Sequence, residues 1–386
     1  MPLPILRLRI RRNSDHPWIF RKMVQPTGDI APGAFVEIRD RENRAMGFGL
    51  YNPRSEIALR VIGSSAEPPD LRSLLDIRLR EAIALRTEVL RLPERTDAWR
   101  VLHSEGDGAS GLIVDRYASV LVVEPFSLGW VVHRDLVEAA LRAAFPGETL
   151  SIVWRADRTA AAREGIQLPP ESPASPVDIR EGTLTFRIRP GEGHKTGFFL
   201  DQRDARAWVG ARARGRRVLD AFCYSGGFAL SACAGGASSA VGVDLDEEAL
   251  TLARANARRN GLEATFVHAD VFEYLRAPGD PFGLVVLDPS KQAKVREEIP
   301  RALRAYHDMA GLAARRIAPG GLLVAASCSG LVEEEAFGAA VREGVRAAGR
   351  RLQEIGASGA APDHPVAGNC PESRYLKVLF ARLLPV

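Results

Sequence analysis

Leu6, Leu8 and Ile10 alternate with Arg7 and Arg9 at the two-residue period of a half-buried strand. Further short strand patterns follow at Ala34 to Arg39, Ala45 to Tyr51 and Ile57 to Val61, separated by Gly, Asn and Pro. Short strands at this density predict a small β-barrel over residues 1–66. Ala66 to Asp70 (AEPPD) reads as a linker. The period then becomes helical: Leu74, Leu75, Ile77, Leu79, Ile83, Leu85, Val89 and Leu90 line one face of a long helix from Leu71 to Leu92. Leu112 to Asp115 and Val120 to Pro125 read as strands, Trp130 to Phe145 as a helix, and Ser151 to Arg155 as a strand. Residues 71–167 are thus a small α/β module, and Leu168 to Pro176 (LPPESPASP) is the clearest linker in the chain.

The last region, residues 177–386, opens on a hairpin, Ile179-Arg180 and Leu184 to Ile188 across Glu181-Gly182. From Arg217 onward strand and helix alternate, which predicts a parallel sheet covered by helices on both faces. Strands are expected at Val218-Leu219, Ala240 to Val243, Thr265 to His268, Leu284 to Leu287 and Leu322 to Ala326. Helices are expected at Phe228 to Ala234, Glu247 to Asn260, Ile299 to Ile317 and Glu333 to Arg350, with a late strand at Tyr375 to Arg382. The fold class is α/β. Four consecutive strands run out into polar residues, Asp244, Asp270, Asp288 and Cys328. A solvated loop explains any one of these but explains the set poorly, because all fall on the edge where open α/β sheets bind ligands.

The stretch Arg217 to Asp246 organises this region. Its first strand stops at Asp220, and Ser225-Gly226-Gly227 follows where backbone can pass close to a ligand. Asp244, one strand on, is placed to accept both hydroxyls of a ribose. A dinucleotide site and a purely structural strand–helix–strand unit are the alternatives. G-x-G-x-x-G is absent, and no glycine pattern suits a pyrophosphate. A nucleoside without phosphates fits better, and S-adenosylmethionine is the common one. Ahead of this core, Gly191 to Arg206 is polar and Gly-rich, as in a loop that closes over a ligand with Phe198 and Phe199 as apolar cover. A plain connecting loop, with Asp201 capping a helix from Gln202, is the competing reading.

Composition narrows the picture. At 386 residues, 46% of them hydrophobic, the chain is a globular protein of two or three domains. A net charge of +4 permits RNA binding only if a local patch supplies it. Arg9, Arg11, Arg12, Arg21 and Lys22, with His16, Trp18 and Phe20 among them, form such a stretch, suited to phosphates and stacked bases; a solvated edge strand with a core Trp is the competing role. Cys223, Cys233, Cys328 and Cys370 show no CxxC spacing, so no metal site and no disulfide framework is expected, and a reduced, cytoplasmic location is. No apolar run reaches the ~18 residues of a membrane span. MPLPILRLRIRR lacks the pattern of a signal peptide.

The sheet-edge motifs resemble the class I, Rossmann-like S-adenosylmethionine-dependent methyltransferases. The ordered set along the whole chain is similar to the bacterial 23S rRNA cytosine-C5 methyltransferases that carry an N-terminal PUA domain. The matching pieces are His16 to Phe20, Gly49 to Pro53, Glu105 to Gly108, Gly111 to Arg116, Lys195 to Arg203, Asp220 to Phe228, Asp288-Pro289 with Lys291, Ser327 to Leu331, Asp363 to Pro365 and Tyr375 to Lys377. The resemblance implies a PUA-like RNA-binding barrel, S-adenosyl-L-methionine as cofactor and large-subunit rRNA as partner, without a membrane; a homodimer is open to it. It implies that Asp220, Phe222, Tyr224, Ser225, Gly226 and Asp244 hold the methionine part and the ribose. Asp270 would reach the adenine amino group, Asp288 would lie between cofactor and target, and Gln202 and Arg203 would cover the cofactor. Arg11, Arg12, His16, Trp18, Arg21 and Lys22 are the RNA-binding candidates.

Cytosine C5 is a poor nucleophile until a thiolate adds at C6, which assigns Cys328 as nucleophile. A small buried residue is its structural alternative. Asp288, Lys291 or water is then the base for the C5 proton. Two departures bear on the target pocket: Ser290 stands where the family has a second proline, and Gln292 where an aromatic is common. A purine amino-group methyltransferase, a small-molecule methyltransferase and a non-enzymatic assembly factor with a vestigial fold are the rival functions.

Overall fold

The computed structural model describes residues 2–169, 174–193 and 195–386; residues 170–173 of the expected linker and His194 of the Gly-rich loop lie outside them. The described chain forms two compact units. Unit 1 comprises Met1–Ile179, Ile188–Leu200 and Pro362–Ser373, and unit 2 comprises Arg180–Arg187, Asp201–Ala361 and Arg374–Val386.

Unit 1 begins with β1 (Ile5–Arg7), β2 (Trp18–Ile19), β3 (Phe35–Arg39), β4 (Ala45–Tyr51) and β5 (Leu59–Gly63), in the order β1-β3-β4-β5-β2. A bridge between Leu8 and Val24 brings the segment after β2 back onto the end of β1. Leu6, Leu8, Ile19, Val36, Ile38 and Leu59 fill its interior.

Next comes α1 (Leu71–Ala84), whose first turn is capped by Asp70 accepting from Ser73 N at 2.8 Å. The expected helix to Leu92 is shorter. It widens into a π-type turn at Leu85–Val89 that carries Arg86 inward, and it breaks where Arg91 takes φ +51°. A second sheet, β6 (Ala98–His103), β7 (Leu112–Tyr117), β8 (Val120–Pro125) and β9 (Ser151–Trp154), follows in sequence order. The helix expected over Trp130 to Phe145 is two, α2 (Leu128–Val132) and α3 (Arg134–Ala144), divided at His133 with ψ +29°. α4 (Arg158–Glu164) was not anticipated; Asp157 caps it.

The hairpin is β10 (Val177–Glu181) and β11 (Leu184–Ile188). Unit 2 then alternates α5 (Arg203–Arg212), β12 (Arg217–Ala221), α6 (Gly227–Ala234), β13 (Ser239–Asp244), α7 (Glu247–Arg259), β14 (Thr265–His268), α8 (Val271–Arg276), β15 (Phe282–Leu287), α9 (Ile299–Arg316), β16 (Ile317–Ser327) and α10 (Glu334–Ala347). It ends on β17 (Arg350–Ser358) and β18 (Lys377–Pro385). The sheet order is β14-β13-β12-β15-β16-β18-β17. Its strands are parallel as far as β16, while β18 and β17 are antiparallel to their neighbours.

The strand cores are apolar without interruption because both faces are covered. Leu219, Val285, Leu287 and Leu323 pack with Met309, Phe337 and Val341 of α9 and α10. Val218, Leu284, Val286 and Val324 pack on the opposite face with Val209 of α5 and Phe228 of α6. β17 corrects the expected end of the preceding helix: α10 stops at Ala347, Gly349 turns at φ +69°, and a largely exposed edge strand begins.

Candidate active site

Register fixes what the carboxyl edge of the large sheet presents. Ala221 pairs with Val243 and with Leu287, Asp244 pairs with His268, and Leu287 pairs with Ala325. Phe222, Asp244 and Asp288 therefore leave the sheet at one level, with Cys328 two residues past that level, just after β16, and Asp270 two past it, after β14. This edge brings together the sequence candidates Asp220, Asp244, Asp288 and Cys328.

The turn after β12 is held in unusual backbone conformations. Phe222 and Tyr224, neither of them glycine, take φ +67° and +46°, and Gly226 takes +84°. Each left-handed non-glycine residue costs on the order of 1 kcal/mol or more and persists where surrounding bonds overdetermine it. Those bonds are present. Phe222 N and Cys223 N both donate to Val243 O, at 2.9 and 3.0 Å. Tyr224 N donates to Asp244 Oδ2 at 2.8 Å, while Asp244 Oδ1 accepts from Asp246 N at 3.0 Å. The ribose candidate is thus already oriented. Ser225 is buried.

Buried acceptors of Asp220 and Gln202 lack partners among the described residues. Asp220 Oδ2 accepts from Ala229 N at 2.9 Å, but Oδ1 has no hydrogen-bond partner among the described residues. Burial, reinforced by the charges of Asp288 and Asp244, pushes the Asp220 carboxyl up to about 8. Gln202 donates from Nε2 to Asp288 Oδ1 at 2.9 Å, and its Oε1 likewise has no partner among the described residues. Unmatched buried acceptors are costly and call for a donor. The ammonium and hydroxyl donors of S-adenosylmethionine supply that chemistry, so the residues present fit the cofactor.

Arg203, the second covering candidate, is buried with Nε 3.9 Å from Glu181 Oε2. Asp270 caps α8 by accepting from Glu273 N at 3.0 Å through Oδ1. Asp201 does not cap a helix: α5 starts at Arg203, and the buried Asp201 carboxylate accepts from Tyr375 OH at 2.6 Å. Phe198 is buried within unit 1, and Phe199 is half-buried.

Cys328 is half-buried at the head of a braced turn. Ser329 Oγ accepts from Gln292 N at 2.9 Å and Ala293 N at 3.2 Å, which ties the turn to the loop after Asp288. Tyr306 OH bonds Ser327 Oγ at 2.8 Å and Ser329 Oγ at 3.1 Å. Lys377 Nζ donates to Ser329 O at 2.7 Å and Val332 O at 2.8 Å. Tyr306 was missed from sequence, where it reads as a core aromatic of α9. Lys377 was seen only as part of a motif. Ser290 and Lys291 are exposed, and Gln292 Nε2 folds back on Ser290 O at 2.7 Å.

The other thiols are poor candidates for nucleophile. Burial, with Asp220 and Asp244 nearby, drives Cys223 far above the usual thiol range. Burial also raises Cys233, and Cys370 is pushed up to about 12 by burial and by Glu105 and Glu372.

In unit 1 the basic stretch divides. Arg11, Arg21 and Lys22 are exposed. Arg12, His16 and Trp18 are half-buried and bonded to the protein itself: Arg12 Nε donates to Ser14 O at 2.7 Å, and Trp18 Nε1 to Glu105 Oε1 at 2.8 Å. His16 Nδ1 accepts from Trp18 N at 3.1 Å, which leaves Nε2 to donate to Glu372 Oε2 at 3.3 Å. His16, Cys370 and Glu372 bring potential ligand atoms within 4.8 Å of one another, but this tautomer puts a proton where a metal would need a lone pair. A cavity of about 500 Å³ opens beside the stretch, lined by Arg12, Asp15, Glu67, Arg78, Glu105 and Asn369 among others.

Among the described residues no helix is long and apolar enough to cross a membrane. Comparison with known proteins agrees with the geometry. Residues 130–343 match the S-adenosylmethionine-dependent methyltransferase family, and residues 10–63 match the PUA-like domain. Over 380 residues the chain is 38% identical to ribosomal RNA large subunit methyltransferase I of Aeromonas hydrophila, with 95% of each chain covered. Over 404 residues it is 37% identical to a ribosomal RNA large subunit methyltransferase of Deinococcus radiodurans, with 98% of each covered. Among solved structures, a chain described as a methyltransferase complexed with SAH superposes at TM-score 0.82 with 19% identity, covering 99% of this chain and 100% of that one. A chain from Streptococcus mutans described as a SAM-dependent methyltransferase superposes at 0.79 with 19% identity, covering 98% and 100%. These two likenesses bear on the fold. With its strained turn, its unmatched acceptors and these matches, the chain belongs to the S-adenosylmethionine-dependent methyltransferase family and carries a PUA-like domain.

Proposed function

We propose that this enzyme methylates C5 of a cytosine in large-subunit rRNA, with Cys328 as the covalent nucleophile. The observation that carries the reading is the position of Cys328: on the binding edge, one strand from Asp288, in a turn braced by Ser329, Tyr306 and Lys377. The choice of RNA is supported by the names of the relatives, by the PUA-like domain and by the exposed Arg11, Arg21 and Lys22. When bound, S-adenosylmethionine supplies the methyl group on a sulfonium centre.

The chain's residues supply the rest. The Cys328 thiolate forms an Sγ–C6 bond, and the C5=C6 electron pair shifts to make C5 nucleophilic. C5 then takes the methyl group as the sulfonium–methyl bond breaks, the bonding pair staying on that sulfur. A base removes the C5 proton, the C5=C6 bond re-forms, and the Sγ–C6 pair returns to sulfur. Asp288, Lys291 or water is that base. Asp288 is already oriented by Gln202, whereas Lys291 is exposed on the following loop. A target base inside a duplex has to leave the stack to reach the edge, at a cost of about a few kcal/mol, so a loop nucleotide is the cheaper substrate.

The test uses labelled S-adenosylmethionine and unmodified rRNA, with digestion to nucleosides, for the native chain and Cys328→Ala. Label in 5-methylcytidine that disappears in the variant is the expected result. Label in a methylated purine, or label that survives loss of the thiol, overturns the mechanism in favour of amino-group transfer.

A further inference from the structure

We infer that Lys377 is the positioning residue of the nucleophile: its buried ammonium holds the turn after Cys328 in place and provides the positive charge beside which a thiolate forms. The inference rests on the proposal that Cys328 attacks the base.

The antiparallel register sets Lys377 directly opposite Ser327, the residue before Cys328. From there Nζ reaches under the turn to Ser329 O and Val332 O, one and four residues past the thiol. An ammonium has three donors and a full charge. Two donors are satisfied by neutral carbonyls, and Lys377 has no ion-pair partner among the described residues. Yet the residue is 5% exposed. A cation taken out of water is normally paired, because carbonyl dipoles recover only part of its lost hydration.

The charged and titratable groups around it come from four elements. Cys328 at the end of β16 is the foremost of those that favour the charge, followed by Glu333 and Glu334 at the start of α10; Lys291, after β15, opposes it. Tyr306 of α9 bonds the two serines that flank Cys328. Burial lowers the Lys377 pKa. A charge destabilised in this way gains from a thiolate next to it, and the thiolate gains equally, since the two titrations are coupled. A nearby cation is an established way to favour a thiolate.

The experiment follows iodoacetamide alkylation of Cys328 in the full chain as a function of pH, by mass spectrometry of its peptide. Removing the charge with Lys377→Met is expected to raise the alkylation midpoint by about one unit, so that the rate at neutral pH falls roughly tenfold. Lys377→Arg, which keeps the charge, is expected to restore most of that rate. An unchanged midpoint in Lys377→Met that still binds S-adenosylmethionine overturns the inference, and so does an equal shift in Lys377→Arg. A reciprocal measurement needs no change at Lys377. The Lys377 ammonium, followed by NMR, should titrate at lower pH in Cys328→Ala than in the native chain; identical titrations overturn the coupling. None of these readouts requires RNA. Methylation that persists in Cys328→Ala therefore defeats the nucleophile assignment separately, whatever the alkylation profiles show.

Discussion

Arg86 and Arg100 in unit 1 are buried as deeply as Asp220 and Lys377 in unit 2, at 0%, 7%, 0% and 5% exposure respectively, but the company they keep differs. Arg86 grips Asp107 with two nitrogens at 2.6 and 2.8 Å and donates to Arg100 O and Asp363 O. Arg100 grips Asp115 at 2.8 Å through both Nε and Nη2, and Thr196 donates to the same carboxylate at 2.5 Å. Asp220 has one backbone donor and two acidic neighbours, and Lys377 has two carbonyls. A bidentate pair in a dry interior is scaffold. A buried ionisable group whose partner set is incomplete, placed at the strand edge where ligands bind, marks the site.

The sharpest test of the scaffold half is Arg86→Met. It leaves Asp107 buried and unpaired, and breaking a buried pair from one side costs about 3–5 kcal/mol. Urea unfolding should show that loss, and Arg86→Met combined with Asp107→Asn should recover part of it. A loss below about 1 kcal/mol would break the comparison, because the fully paired cation would then matter no more than a surface one.

The site half is tested through pH. The Asp220 carboxyl stands near 8 in the native state and near 3.9 in an unfolded chain. Between those values the native state keeps a proton that the unfolded chain has released. The stability from this group is therefore complete below about pH 4 and is lost as pH rises towards 8, by at most about 1.4 kcal/mol per pH unit. Asp220→Asn cannot ionise, so its unfolding free energy should decline less steeply than the native chain's across this window. Its affinity for S-adenosylmethionine should fall on the order of tenfold or more, the loss of one charge-assisted bond. Parallel pH slopes for the two proteins would place Asp220 in the scaffold class instead.

Sequence carried the parallel sheet because strands covered on both faces read as unbroken apolar runs. It also carried the ends of those strands, since the switch from Val243 to Asp244 or from Leu287 to Asp288 is local. It did not carry what depends on distant register. Lys377 lies 48 and 45 residues from the two carbonyls it holds, and Tyr375 lies 174 from Asp201. Nothing within a few residues of Asp201 shows that its carboxylate is already taken, so an N-cap was the natural expectation. β17 was hidden for a related reason: an exposed edge strand of mixed polarity, RRLQEIGAS, has no face that must be apolar. The π-type turn at Leu85–Val89 continues a helical pattern whose break is set by where Arg86 must go.

Tyr375 offers the finest division between the two classes, because it stands close to the site yet has its hydroxyl bonded to a buried carboxylate oxygen. Its hydroxyl donates to the buried Asp201 carboxylate at 2.6 Å, and Asp201 O accepts from Ala361 N at 2.8 Å. Tyr375→Phe keeps the ring and removes one bond to a carboxylate, which should cost about 1–3 kcal/mol. If partner count sorts the residues correctly, that loss appears in the thermal midpoint, while the stabilisation added by saturating S-adenosylmethionine changes little. Asp201 neighbours Gln202, whose side chain orients Asp288, so a few-fold rise in the Kd for S-adenosylmethionine is compatible with a scaffold role. A methylation rate at saturating substrates that falls more than about tenfold, with the thermal midpoint unmoved, is not. That result would mean a group with its bond already made can still belong to the chemistry, and that missing partners alone do not locate this active site.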